Sequence, residues 1–302
     1  MKKQENNVQT MPQLKKTKRH FTGGTGGGRT ALLFLFPSLA GILVFFLIPF
    51  IDTIRRSFFD TIGSSFLGLN NYQLVFNNSA FQLAATNTAK FIVVCIPLLL
   101  LTSLALALLV RAIRPAGRRF KMTYLLPMAV PVASMVLLWQ VLFDEKGLLN
   151  TWLLSLGGTP INFMGSNAAF WVLVFTYLWK NSGYDMILWL AGLDGISESM
   201  YEAARVDGAG TLQTFRYVTL PSLLPTMGLV FILSLLSSFK VFREAYLVAG
   251  SYPHDSIYML QHLFNNWFVN LDIGRLCAAA VLLAAVLLII ILLAQRLMKD
   301  NT

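Results

Sequence analysis

The chain has 302 residues, of which 56% are hydrophobic and only 13% charged, with mean hydropathy +0.62. A soluble domain carries about a quarter charged residues, so there is too little polar surface here to cover a globule in water, and the solvent is largely lipid. The net charge of +10 gathers in alternate loops, which argues against nucleic-acid binding. The only two cysteines, Cys95 and Cys277, lie inside apolar runs, which excludes a disulfide framework or a CxxC metal site.

Residues 1–30 form a basic, Gly-rich tail with seven Lys/Arg. Within it, Gly23–Thr30 (GGTGGGRT) imitates the spacing of a phosphate-binding P-loop. Arg29 stands where Lys is required, and the preceding KKTKRHFT is no strand. A flexible linker is expected, and no ATP binding by this chain.

Six apolar runs follow, each near the ~20 residues that cross a bilayer as a helix. They are 31–50, 89–110, 122–143, 168–193, 227–248 and 277–294. The first exceeds the roughly 7–15 residues of a signal-peptide core and is followed by Phe50-Ile51-Asp52-Thr53, a poor cleavage context, so a retained span is expected. Pro97 and Pro131 fall inside runs, where neighbouring helices can satisfy the carbonyls they free. With the amino terminus inside, the inner segments hold 16 Lys/Arg and the outer segments five. The positive-inside rule then predicts cytoplasmic termini at both ends. The expected fold is all-α: a polytopic bundle of six transmembrane helices over residues 31–298, with 299–302 ending in the cytoplasm and a cytoplasmic loop, 193–226, between spans four and five.

Polar groups at bilayer depth are costly without a purpose. The middle of the fourth run reads Trp179-Lys180-Asn181-Ser182-Gly183-Tyr184-Asp185. Lys180 and Tyr184 share one helical face, and Asn181 and Asp185 another. These four, with Gln140 in the third run, are the candidate solute pathway, and Lys240 is a further candidate. The alternative for Lys180 and Asp185 is structural pairing with neighbouring helices. Asp185 reads as the only acidic residue well inside a span. His254 and His262, eight apart, read as surface or packing histidines rather than metal ligands. No HExxH, GxSxG or paired carboxylates occur within the runs, so no enzyme is expected.

The loop 193–226 predicts two short helices joined by a glycine turn. Ser197 can cap the first, and Asp207-Gly208 with Gly210 can end it. Thr211 can cap the second, through about Val218, with Pro221 preventing simple continuation. Neither helix is long enough to persist alone in water, so a partner must pack against them. Ala203 and Ala204 offer a smooth surface, flanked by Glu202 and Arg205.

Here the sequence resembles a known family. Glu202-Ala203-Ala204, three residues, Gly208, nine residues, Val218, one residue, then Leu220-Pro221 matches the EAA signature of binding-protein-dependent ABC importer permeases. Val218 holds a position usually occupied by Ile, and Ser197 one often occupied by Pro. Gly68-Leu69-Asn70-Asn71-Tyr72 is similar to the GLxNY element of maltose-type sugar permeases. Asn87-Thr88, Gly147-Leu148-Leu149-Asn150, Trp179-Lys180 with Gly183, and Phe239-Lys240-Val241-Phe242 are similar to the same branch.

The resemblance implies a permease subunit that moves a carbohydrate into the cytoplasm across a bacterial inner membrane. It implies that Glu202, Ala203, Ala204, Arg205, Gly208, Leu220 and Pro221 form the coupling element gripped by an ATPase. It also implies a second, different permease, two ATPase subunits that bind the ATP, and an extracellular solute-binding protein docking on Gly250–Arg275 with Tyr252, His254, Trp267 and Asp272. No cofactor or metal is implied for this chain. The alternative weighed is an ion-gradient-driven secondary transporter, which would show several acidic residues inside spans and an inverted repeat.

Overall fold

The computed structural model describes residues 27–113 and 117–299. The tail as far as Gly26, residues 114–116 and the last three residues lie outside them. The chain divides into two units, Met1–Ile51 and Asp52–Thr302. In the first, α1 (Gly27–Ile42) passes through a π-helical turn at Leu43–Leu47 into α2 (Ile48–Arg56). None of residues 33–51 is buried.

In the second unit, α3 (Asn70–Phe76) leads to the 34-residue α4 (Ser79–Ala112). Pro97 lies inside α4 without breaking it. Then come α5 (Gly117–Ala129), α6 (Val132–Phe143), α7 (Leu148–Ser155) and α8 (Ala168–Asp194). The loop elements α9 (Glu198–Val206), α10 (Thr211–Thr214) and α11 (Leu220–Ser222) precede α12 (Leu224–Ser238). A 3-10 turn, Phe239–Val241, joins α12 to α13 (Phe242–Ala249); α14 (Leu260–Val269) and α15 (Ile273–Lys299) complete the chain.

All six apolar runs fall on helices. Among the described residues four helices are long and apolar enough to cross a membrane, and the bent pair Lys121–Ala129 and Val132–Ser155 passes the same test as a broken span or a re-entrant loop. The remaining run is α8, 27 residues and so about 40 Å long, whose polar middle lowers its hydropathy. The expectation of one helix over 122–143 is corrected: the chain turns by 96° there. Pro131 has no N–H, and its ring would strike the carbonyl of Pro127, one turn back. Pro131 is accordingly extended (φ −59°, ψ 142°) and α6 starts afresh behind it.

The core lies along α4 and α8. At one end Phe91, Cys95, Leu99, Phe170, Leu173 and Tyr177 pack on Val241 and Ala245; at the other Ala107, Val110, Met186, Trp189 and Leu193 pack on Leu223 and Val230. A third cluster joins α3, α4, α14 and α15 through Val75, Ala84, Trp267 and Ala278.

Buried asparagines fasten the connecting loops to these helices. The Asn71 amide donates to the Ser57 and Phe59 carbonyls at 3.0 and 2.7 Å. Asn87 donates to the Asp255 and Tyr258 carbonyls at 2.5 and 2.9 Å, and Thr88 Oγ1 accepts from the Leu260 N–H at 3.0 Å. Asn150 donates to the Asp144 and Ile161 carbonyls and accepts from the Ile161 N–H. Each replaces a loop hydrogen bond that a lipid-facing or buried backbone would otherwise lack.

Glycine sets the closest helix approach. A Cβ on Gly183 would overlap the Tyr124 carbonyl, so α5 lies on the bare backbone of α8. Gly183→Ala forces these backbones apart and is expected to cost about 1–3 kcal/mol. A lower melting temperature of the purified protein checks this; an unchanged one would mean that the two helices are not in contact there.

Candidate solute cavity and coupling loop

A cavity of about 300 Å³ opens beside the middle of α8. Its wall includes Lys180, Asn181, Tyr184 and Asp185 from α8, Ser237, Lys240 and Glu244 from the α12–α13 segment, and Met128 of α5. The structure thus brings together four of the five residues expected from the sequence. Gln140 is not among them. The bend at Pro131 carries it off on α6, where it borders a separate recess with Leu137, Val141, Asp144 and Lys146.

The Lys180 ammonium is paired with Glu244 Oε1. The Lys180 side chain keeps 21% of its exposure, whereas that of Glu244 keeps 3%. Glu244 corrects the reading of Asp185 as the only acidic residue well inside a span. The signal that could have found it is the charge on Lys180 itself, which demands a carboxylate at the same depth. Glu244 lay within the fifth apolar run.

Asp185 is buried and accepts from the Ser234 hydroxyl at 2.8 Å. Tyr177 donates its hydroxyl to the Ser234 carbonyl at 2.7 Å, and Asn181 donates back to the Tyr177 carbonyl at 2.8 Å. Tyr184 is exposed. Lys240 forms no ion pair among the described residues. Trp139 of α6, which is not among the residues of the cavity wall, lies against Trp179 and Phe175 of α8 in edge-to-face contacts with 5.9 Å between centroids.

The loop between α8 and α12 forms the helix and turn expected. After α9, Gly208 adopts φ +76°. The Ala209 N–H bonds the Ala204 carbonyl at 2.9 Å and the Gly208 N–H the Arg205 carbonyl at 3.1 Å. This is the Schellman pattern, and its left-handed position suits glycine.

Other details differ. Ser197 occupies the cap position, but its hydroxyl bonds that of Ser199 at 2.7 Å instead of the backbone. The second helix is capped by Gly210, whose N–H is held by Gln213 at 2.9 Å; Thr211 is already helical. Pro221 does not end the helix, because a wider π turn at Phe215–Thr219 precedes it and Pro221 opens the short α11, where its missing N–H costs little.

Of the coupling residues, Glu202, Ala203, Arg205, Gly208, Leu220 and Pro221 are exposed. Ala204 is buried, so only Ala203 of the pair offers an open surface. Arg205 pairs with Glu198 at 3.2 Å rather than standing opposite Glu202. Val206 and Leu212 are largely exposed around the Gly208 turn. Tyr201 fastens α9 to the bundle: its ring lies 5.3 Å from the Arg111 guanidinium at the end of α4, and its hydroxyl is 3.3 Å from Thr219 Oγ1.

At the opposite end of the bundle, His262 is fully buried against Phe242 and Tyr258, and burial pushes its pKa down to about 4. It is a packing residue. Trp267 is also buried and Asp272 is paired with Arg275, so of the expected docking residues Trp267 presents no surface. Tyr252 remains exposed. Among the described residues no group of His, Cys, Asp and Glu could hold a metal ion.

Residues 100–299 match the family described as binding-protein-dependent transport system inner membrane component. The chain belongs to that family. The permease is therefore a membrane-embedded subunit of an ATP-binding-cassette importer, which sets aside the ion-gradient alternative. It is 30% identical over 249 residues to the trehalose/maltose transport system permease protein MalF of Thermococcus litoralis, covering 80% of this chain and 84% of that one. It is 32% identical over 222 residues to the arabinooligosaccharides transport system permease protein AraP of Bacillus subtilis, covering 72% and 71%. It is 31% identical over 223 residues to the lactose transport system permease protein LacF of Rhizobium radiobacter, covering 71% and 74%. Its fold is that of a chain in the crystal structure of a bacterial ABC transporter involved in alginate import, with TM-score 0.78 at 21% identity over 91% of this chain and 97% of that one.

Tyr201→Phe keeps the ring against Arg111 and is expected to leave uptake by the assembled importer unchanged. Tyr201→Ala removes a contact of ~0.5–1 kcal/mol and is expected to lower uptake about two- to fivefold with normal amounts of permease in the membrane. Equal losses in both variants would assign the anchoring to the hydroxyl instead.

Proposed function

We propose that this permease carries a carbohydrate, a sugar or oligosaccharide, through the cavity beside α8 into the cytoplasm. The observation that carries this reading is the composition of that cavity. Hydroxyl, amide, carboxylate and ammonium groups are grouped at mid-helix, which suits a solute that presents many hydroxyls. The relatives named above, each a permease for a disaccharide or oligosaccharide, point to the same class. Lys180, Asn181, Tyr184 and Asp185 line the pathway, and Gln140 lies outside it.

The α9 loop is the coupling element. Glu202, Ala203, Arg205, Gly208, Leu220 and Pro221 face the cytoplasm, together with exposed Val206 and Leu212, and meet the groove of an ATP-hydrolysing subunit. Ala204 supports them from inside. The excess of Lys/Arg on that side of the membrane supports cytoplasmic termini. A second permease, two ATPase subunits and an extracellular solute-binding protein complete the importer; ATP is bound by the ATPase subunits and this chain needs no cofactor. ATP-driven closure of the ATPase pair moves α9 as a rigid unit and turns the cavity from one side to the other.

The test is uptake by the importer reconstituted in proteoliposomes, using labelled maltose, trehalose, lactose and arabinotriose singly. ATP-dependent import of at least one is expected; import of none would remove the carbohydrate reading. Glu202→Lys reverses the charge offered to the ATPase, and Gly208→Val strains the left-handed turn. Both are expected to abolish uptake while the protein inserts normally. Normal uptake in both would take the loop out of the mechanism.

A further inference from the structure

Among the described residues, Glu244 is the cavity carboxylate that has a buried oxygen without a hydrogen-bond partner. Its Oε1 holds Lys180, but its Oε2 is sealed from solvent and has no hydrogen-bond partner. The other buried polar groups around the cavity are occupied: Tyr177 and Asp185 on Ser234, and Asn181 on its own helix. A buried charged oxygen without a donor is costly, and native structures leave few of them without a reason. Glu244 is a lining residue of the cavity, so a small rotation of its carboxylate, which the unmade second hydrogen bond leaves unopposed, brings Oε2 to a donor there. A carboxylate held ionised by an ammonium accepts hydrogen bonds and gives none. It therefore selects a group that donates, which on a saccharide is a hydroxyl.

We propose that Glu244 is a solute-binding residue whose Oε2 accepts a hydrogen bond from one hydroxyl of the transported solute, with Lys180 as the positioning residue that fixes and ionises it. This rests on the reading of the cavity as the solute pathway. A structural alternative assigns Glu244 no task beyond neutralising Lys180. The two differ in the variant that removes both charges. Lys180→Met with Glu244→Met deletes the ion pair without leaving either charge buried alone, an exchange that is often neutral for stability. If Glu244 only neutralises Lys180, the double variant should keep the native hydroxyl preference whatever its overall rate. If Glu244 binds solute, the hydroxyl it served loses its acceptor.

The experiment uses the full importer with its solute-binding protein at saturation, whichever sugar of the panel above is imported, and the monodeoxy analogues of that sugar. Because the same binding protein serves every variant, its own preferences cancel. In the native importer, removal of one hydroxyl is expected to lower the uptake rate about tenfold or more, the range for a hydrogen bond to a charged group. In the double variant the parent sugar and that analogue should be taken up at the same rate, the other hydroxyls keeping their native effect. Native hydroxyl preference in the double variant would overturn the proposal. So would the absence of any sensitive hydroxyl in the native importer. If the double variant does not assemble, Glu244→Gln crossed with the deoxy analogues decides: losses that fail to add support a direct contact, and additive losses refute it. Native import of a panel sugar with the native hydroxyl preference retained in the double variant sinks this inference alone; import of no panel sugar sinks the carbohydrate reading and this inference with it.

Discussion

The ammonium of Lys180, halfway along a helix that lies among apolar neighbours, is the constraint around which the second unit is arranged. A cation at that depth requires a carboxylate, and the structure supplies one from another element, Glu244 at the start of α13. That pairing obliges the α12–α13 segment to run beside α8, with the 3-10 turn Phe239–Val241 between its two helices. Tyr177 and Asp185 reach across the same seam to Ser234. The seam is thus joined by polar contacts where lipid would otherwise favour none, and the space left between them is the cavity.

The rest of the fold serves to hold this seam open at one side and closed at the other. Small residues let neighbouring helices come close: Gly183 meets the backbone of α5, while Gly192 takes the side chain of Thr226 and Gly228 that of Met298. Without a hydrophobic drive between helices in lipid, such close approach is a main source of association. On the opposite end of the bundle, loops are tied down by Asn71, Asn87 and Asn150 rather than by strands or long hairpins. Three of the short motif elements of the sugar branch, those with Asn71, Asn87-Thr88 and Asn150, therefore have a physical content, since each contains a side chain that completes a loop's backbone hydrogen bonds.

Local chemistry was legible in the sequence, and pairing across the fold was not. The α9 helix, its arrest at Gly208 and the six helical runs follow from glycine conformation and apolar run length. The 96° turn at Pro131 was missed because the run length alone reads as one span, and a proline inside a run can either be carried by the helix, as Pro97 is in α4, or end it, as Pro131 does. Thr211 and Pro221 misled for a related reason. A helix start can be capped by Gln213 reaching back to Gly210, and a π turn can accept a proline, and neither depends on a residue type at one fixed position. Glu244 was the larger omission. Its position was within a run, yet its role is set by a residue 64 positions earlier, and no periodicity reports that.

The arrangement also explains how an event at the loop reaches the cavity. From Lys180 to Asp194 is about 21 Å of uninterrupted helix, and α9 follows directly on its end. The Trp189 indole N–H bonds Ser103 Oγ of α4 at 3.0 Å, and Gly192 lies against Thr226 at the start of α12. Helices α4, α8 and α12 are consequently cross-linked close to the loop, whereas near the cavity the link from α8 to α13 is an ion pair with an unfilled acceptor. A displacement of α9 is resisted at the first place and accommodated at the second. On the proposed reading this is the useful order, because the end that receives the push is stiff and the end that must change its grip on a solute is the one whose hydrogen bonds are incomplete.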